Sequence, residues 1–361
     1  MSKYWNERTK SLKPYVPGEQ PRDRKFIKLN TNENPYPPSP SVAEAVSRVL
    51  AHGAENLRLY PDPACTELRR VIAERYGVKP EQVFAGNGSD EVLAFAFAAF
   101  FPGNTSDRAV LFPDITYSFY SVYANLWASP FRTVPLDNDF AIQTKDYLVP
   151  NGGIIFPNPN APTGKALDLE PILFLAEEQE KRGRVLIVDE AYAAFGGDSA
   201  VPHIASHPNL MTVHTLSKSA SLAGGRIGFA IAQEELIEGL CRVRDSFNSY
   251  TLDRLAQAAA VAAITDTAYY DEITRKVIVT RERVAVELAA SGFTVIPSAA
   301  NFLFVRFPNI PGAAAFAKLR EKGILVRHFN KDRIADFLRV SIGTDEEMDI
   351  FLAACEEICV E

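Results

Sequence analysis

The chain is poor in cysteine, in surplus positive charge and in long apolar runs, and each shortage closes off a class of function. Four cysteines in 361 residues, Cys65, Cys241, Cys355 and Cys359, make no disulfide framework and fit a reducing cytoplasm. Cys355 and Cys359 share a helix face, but with no neighbouring histidine they read as core thiols rather than metal ligands. A net charge of -7 leaves no basic footprint, which argues against a nucleic-acid partner. The longest apolar run, Val92 to Phe101, falls far short of the roughly 20 residues that span a membrane. Met1-Ser-Lys-Tyr-Trp5 has no apolar signal core, so a cytoplasmic protein is expected and no membrane partner. His203 and His207 sit four apart, yet Pro202 and Pro208 bracket them, so they read as a solvent loop and no metal is expected. No internal repeat or low-complexity tract is present.

What is present is an ordinary globular composition, 47% hydrophobic and 23% charged, cut into many elements by 24 prolines. Residues 1–40 are proline-rich and irregular, and such an arm must lie on a core made elsewhere, part of or packed on a smaller lobe. Helical patterns follow at Pro40–His52 and Thr66–Tyr76, the second closed by Gly77. Strand-like runs then alternate with helix-like ones. A short strand opens at Val83, followed by Ala109–Phe112, Gly153–Phe156, Arg184–Val188, Leu210–Thr215 and Ile227–Ala232. The alternation predicts an α/β fold: a large domain over 41–250 built on a mostly parallel sheet covered on both faces. A long helix with Ile273, Val277, Val284 and Leu288 in one stripe, closed by Gly292, leads into short strands. Those are Thr294–Pro297, Phe302–Phe307, Leu325–Arg327 and Leu338–Ile342, and they predict a smaller α+β domain over 251–361.

Several strand ends carry residues with chemistry. Thr215-Leu-Ser-Lys218 places hydroxyls and an amine where a buried strand leaves the sheet, with Arg226 eight residues on. Gly86-Asn-Gly-Ser-Asp-Glu91 joins a strand to an apolar helix, a turn whose first helical amides face outward and suit an anion. It is neither a Walker loop nor a dinucleotide fingerprint. Arg184-Val-Leu-Ile-Val-Asp-Glu-Ala-Tyr192 ends a buried strand in Asp189, an acid that needs a cationic partner. A protonated ring nitrogen would serve, as would Mg²⁺ in a Walker B arrangement, against which the missing Walker A loop counts. Pro157-Asn-Pro-Asn-Ala-Pro-Thr-Gly164 is a rigid loop whose Asn160 can donate in a fixed direction, and Tyr117 follows another strand, placed to stack on a planar ring.

An anion turn, an amine, an acid for a ring nitrogen, donors for a ring hydroxyl and a stacking aromatic together suit pyridoxal 5'-phosphate. On these residues, most specifically Asp189-Glu-Ala-Tyr192 and the Ser217-Lys218 to Arg226 spacing, the sequence resembles the fold-type I aminotransferases. Asn32-Glu-Asn-Pro-Tyr36 and Leu338-Arg-Val-Ser-Ile-Gly343 carry the resemblance to the histidinol-phosphate aminotransferases among them. It implies a seven-stranded sheet, a homodimer, and transfer of an amino group between L-histidinol phosphate and 2-oxoglutarate or glutamate. Lys218 would hold the cofactor and shuttle the proton, Asp189 would face the ring nitrogen, and Tyr192 and Asn160 would meet the ring hydroxyl. The amides of Ser89, Asp90 and Glu91, with Thr215, Ser217 and Arg226, would hold the phosphate, with Tyr117 on the ring and Tyr60 reaching the phosphate of the neighbouring subunit's cofactor. Arg339 and Arg327 would grip substrate anions, and Tyr15 and Asn34 would line the substrate pocket.

Two departures stand out. Ala161 occupies a position where many relatives have asparagine, so the ring hydroxyl is met by Asn160 through a shifted backbone or by Tyr192 alone. Gly225, before the arginine, would loosen that turn. A broad aromatic aminotransferase and a threonine-phosphate decarboxylase share nearly all these motifs. A non-catalytic ligand-binding protein on the same scaffold is disfavoured by the intact Lys218, Asp189 and Arg226.

Overall fold

The computed structural model describes residues 2–15, 18–20, 25–101, 103 and 108–360. The arm carries a two-residue strand, β1 (Ile27–Lys28). The large sheet comprises β2 (Val83–Gly86), β3 (Val110–Pro113), β4 (Phe131–Val134), β5 (Ile154–Pro157), β6 (Leu186–Asp189), β7 (Leu210–Thr215) and β8 (Gly228–Ala232). It is seven-stranded, in the order β2-β8-β7-β6-β5-β3-β4. β8 runs antiparallel to both neighbours and the remaining pairs are parallel, the mostly parallel sheet that the alternation predicts.

The strands read as unbroken apolar runs because both faces are covered. Leu186 and Val188 pack into one core and Ile187, between them, into the other, beneath the helix Gly88–Phe100. β4 is absent from the strands read in the sequence. It lies at the sheet edge with three of its four residues exposed, so it lacks an apolar signature. The helix Thr66–Tyr76 ends as expected at Gly77, whose φ of 67° is left-handed.

The smaller lobe holds β9 (Thr294–Ile296), β10 (Phe302–Arg306), β11 (Ile324–Leu325), β12 (Arg327–His328) and β13 (Phe337–Ser341). Four of them form an antiparallel sheet in the order β12-β13-β10-β9, while β11 pairs in parallel with β1 of the arm. The stretch read as a single strand at Leu325–Arg327 is thus divided between two sheets. The arm is stitched to the small lobe, since Leu29 also closes a backbone bond to Leu325 and another to Ser341.

A domain boundary at residue 250 does not match the packing. The helix Arg254–Thr265 buries Ala256, Ala259, Ala260, Ala263 and Ile264 in the large lobe's core. The helix Thr267–Ala290 then crosses between lobes, with Tyr270 and Ile273 in the large core and Val277, Val284 and Leu288 in the small one. One continuous stripe serves both cores, so its period gives no hint of the crossing. Cys355 is buried as expected but Cys359 is exposed, and His207, expected in a solvent loop, is buried against the His203 carbonyl.

Candidate active site

The carboxyl ends of β2, β3, β5, β6 and β7 open on a cavity of about 350 Å³. Ser89, Asp90, Tyr117, Asp189, Tyr192, Thr215, Ser217, Lys218 and Arg226 all line it, gathered from five separate stretches of chain. At one end lies the N-terminus of the helix Gly88–Phe100, whose first amides have no partner within the helix. Close approach explains two glycines there. A side chain on Gly88 (φ 81°) would come within 2.6 Å of the Arg226 guanidinium, and one on Gly228 would run into the Ser89 amide. A side chain on Gly225 would come within 2.9 Å of the Ile227 methyl, so a larger residue there would have to displace it. Arg226 donates to Asp90 at 2.9 Å, and Asp90 also accepts from the phenols of Tyr117 (2.6 Å) and Tyr123 (3.2 Å). The Thr215 hydroxyl accepts from the Ser217 amide at 3.1 Å and donates to its hydroxyl at 3.0 Å. Hydroxyls, amides and one guanidinium make this end an anion cradle.

Lys218 sits at the centre, its Nζ donating to the Thr31 carbonyl at 3.2 Å. Burial, reinforced by the positive charge of Arg339, pulls its pKa down to about 8, so a sizeable neutral fraction exists near physiological pH. Across the cavity Asp189 accepts from the Tyr120 phenol at 3.0 Å and the Ala191 amide at 3.2 Å. Those bonds favour its charged form, yet burial outweighs them and pushes it up to about 6. A cation opposite Asp189 would remove that cost. Tyr192, whose ring centroid lies 5.8 Å from the lysine Nζ, accepts at its phenol oxygen from Asn32 at 2.9 Å.

Other residues named from the sequence do not line the cavity. The Glu91 carboxylate, as distinct from the backbone amide expected at the phosphate, turns back to accept from the Asn87 amide at 2.7 Å. The Asn160 side chain donates to the Thr163 hydroxyl of its own loop and to the Ile115 carbonyl of the segment after β3, and accepts from Thr116 of that segment. It is Ala161, with no polar group, that borders the cavity. In this arrangement Tyr192 lines the cavity and the Asn160 side chain does not. Asn34 donates to the Lys218 carbonyl at 3.0 Å and so holds the lysine's backbone. Tyr15 packs on Phe119, and Tyr60 is 77% exposed and stacked on Tyr250.

Arg339 and Arg327 stand opposite each other on β13 and β12. Arg339 donates to the Asn30 carbonyl at 3.0 Å, lies over the rings of Phe302 and Phe329, and leaves its Nε buried without a partner. The largest omission from the sequence reading is in the arm, where Tyr15 and Asn34 are named as site residues but Asn30, Thr31, Asn32 and Glu33 are not. Asn30, Thr31, Asn32 and Asn34 touch Arg339, Lys218, Tyr192 and the Lys218 backbone in turn, and Glu33 borders the cavity, paired with Lys28. A run of five polar residues between prolines was the available signal. Tyr120 and Tyr123 were missed because a tyrosine in an apolar helix reads as core.

The model of the family "Aminotransferase class I and II" matches residues 24–354. The chain belongs to the class I and II aminotransferases. Curated histidinol-phosphate aminotransferases share much of the sequence. That of Clostridium acetobutylicum is 54% identical over 99% of both chains, and that of Chromohalobacter salexigens 52% identical over 99% of this chain and all of the other. The crystal structure of histidinol-phosphate aminotransferase from Sinorhizobium meliloti in complex with pyridoxal-5'-phosphate superposes with a TM-score of 0.88. It is 26% identical, covering 100% of this chain and 98% of that one. Aminotransferases of this family depend on pyridoxal phosphate, and the cavity fits that group. Asp189 is an acid whose burial calls for a cation, the glycine-lined cradle calls for an anion, and an amine of lowered pKa lines the same cavity. Among the described residues no helix is long and apolar enough to cross a membrane, and no group of three or more acidic, histidine or cysteine side chains could hold a metal.

Proposed function

We propose that this aminotransferase moves an amino group between L-histidinol phosphate and 2-oxoglutarate, as a step of histidine biosynthesis in the cytoplasm. Lys218 carries the cofactor. Asp189 faces its ring nitrogen, Tyr117 its ring and Tyr192 its ring hydroxyl. The amides of Ser89 and Asp90, with Thr215, Ser217 and Arg226, hold its phosphate. When bound, pyridoxal phosphate supplies an electron-withdrawing ring that makes the substrate Cα–H acidic. The lysine Nζ would take that proton, a task suited to an amine whose pKa lies at about 8. Arg339 and Arg327 receive the anionic end of each substrate in turn, first a phosphate and then a carboxylate, both of which suit a guanidinium fork.

The observation that carries the substrate assignment is the pair of arginines opposed across β12 and β13, one with an unsatisfied buried donor. The test is a half-reaction on the purified holoenzyme, following loss of the cofactor's visible absorbance on adding L-histidinol phosphate or L-phenylalanine. Rapid bleaching by the phosphate ester and slow bleaching by phenylalanine are expected, and Arg327→Gln should slow the first and spare the second. Equal or reversed rates would instead mark a broad aromatic aminotransferase.

We also propose a homodimer in which the partner subunit's Tyr60 completes the phosphate cradle. Exposed Leu57, Leu59, Tyr60, Phe247 and Tyr250 support it, as an apolar surface that a second copy would cover. Mixing inactive Lys218→Ala with impaired Tyr60→Ala should recover activity in hybrid dimers. No recovery would rule out a contribution across subunits.

A further inference from the structure

The loop after β5 offers the cavity only Ala161, and Asn160 is committed elsewhere, so the ring-facing phenol of Tyr192 has no amide beside it from that loop. Its neighbour comes from the arm instead. We propose that Asn32 is the positioning residue that sets Tyr192 as a hydrogen-bond donor toward the cofactor's ring oxygen, and that ties this donor to the strand bearing Arg339.

The hydrogen-bond directions follow from the network. The backbone amide of Asn32 donates to the Ser341 hydroxyl at 2.8 Å, and that hydroxyl in turn donates to Asn32 Oδ1 at 3.0 Å. With Oδ1 identified as the acceptor, the group 2.9 Å from the Tyr192 phenol is the NH₂, which can only donate. The phenol oxygen is thereby an acceptor from Asn32, and its own hydrogen is left for an acceptor in the cavity. Asn32 is held for this task. It is buried, its carbonyl accepts from Asn301 Nδ2 at 3.0 Å, and its φ of 57° is a left-handed conformation that asparagine tolerates better than most residues. Ser341 lies two residues beyond Arg339 on β13, so both project from the same face of one strand. A displacement of that strand when Arg339 takes a substrate anion reaches Tyr192 through Ser341 and Asn32.

This inference rests on the reading that Tyr192 meets the cofactor's ring hydroxyl, and the experiment separates the two. The readout is the pH midpoint of the visible absorbance of the bound cofactor, together with the cofactor's dissociation constant. A donor to the ring oxygen favours the deprotonated form, so its loss raises the midpoint. Tyr192→Phe should raise it, and Asn32→Ala should raise it in the same direction by roughly half a pH unit, about threefold in proton affinity. Asn32→Asp keeps the Ser341 bond and the backbone conformation but accepts the phenol's proton, so its shift should equal or exceed that of Asn32→Ala. The double variant Asn32→Ala/Tyr192→Phe should match Tyr192→Phe alone, because the two act as a unit. If Tyr192→Phe shifts the midpoint while both Asn32 variants leave it at the native value, the role of Asn32 is overturned. If Tyr192→Phe itself has no effect, the ring-hydroxyl reading falls, and the inference with it.

Discussion

The two sides of the active cavity are built on different principles. On the large-lobe side each group sits at the end of a buried strand. Asp189 ends β6 and Thr215 ends β7, and their relative positions are set by parallel pairing, Asp189 lying opposite Val213. On the other side the arm crosses from the small lobe, and residues 30–34 are placed by side-chain bonds to partners up to 309 residues away in sequence. A sheet register tolerates change at any one side chain, because the ladder is backbone. A network of single hydrogen bonds does not. Damage on the large-lobe side should therefore remove chemistry and leave geometry intact, whereas damage to the arm should detune groups that are still present.

The most severe expected loss tests the first half of that contrast. Lys218→Ala should abolish the cofactor's visible absorbance and cut turnover by on the order of 10⁴-fold, without lowering the melting temperature of the cofactor-free protein at neutral pH, where the buried lysine's charge disfavours folding. Next comes Asp189→Asn. In the cofactor-free chain the pKa of Asp189 is raised from an ordinary 3.8 to about 6, so the stability it contributes at low pH is lost as pH rises through about 6. The asparagine variant should therefore be more stable than the native apoprotein at pH 8, by about 3 kcal/mol, and equal to it below pH 4. Cofactor affinity should move the other way. Thermal melts with and without pyridoxal phosphate across that range would show both, and a destabilised apoprotein at pH 8 would contradict the account.

Arg339→Gln joins the two sides, since the guanidinium depresses the Lys218 pKa and, in the proposed function, receives the substrate. A roughly 100-fold loss in kcat/KM is expected with either substrate. The reactivity of Lys218 toward aldehydes in the apoprotein should also require a higher pH than in the native chain. The smallest effect belongs to the arm. Asn34→Ala removes its bond to the Lys218 carbonyl, worth about 1 kcal/mol, and should lower kcat about fivefold while leaving cofactor loading complete. If Asn34→Ala proved as damaging as Lys218→Ala, the arm would be part of the catalytic machinery rather than its support.

The same division separates what was legible from what was not. Leu210–Thr215 and Thr66–Tyr76 were found to the residue, because an apolar run and a glycine stop are local signals. The exposed edge strand Phe131–Val134 was missed, since a strand paired on one side needs no apolar pattern. Where Asn160 points is not legible for a related reason: an asparagine in a rigid loop can bond inward or outward, and the bonds to Ile115, Thr116 and Thr163 depend on the fold around it. The arginines on β12 and β13 were named, but their opposition across the ladder depends on a register that separate strands do not reveal.

By itself, then, the sequence determined the sheet, the strand-end residues and the family chemistry they serve, because backbone hydrogen bonding and burial act over a few residues at a time. Only the tertiary structure decided how the arm lies across the cavity, which asparagine meets Tyr192, and where the long helix passes from one core to the other. Each of those outcomes depends on a partner that is distant in sequence. A polar side chain such as Asn32 declares its role only once folding has brought Ser341 and Tyr192 within 3 Å of it.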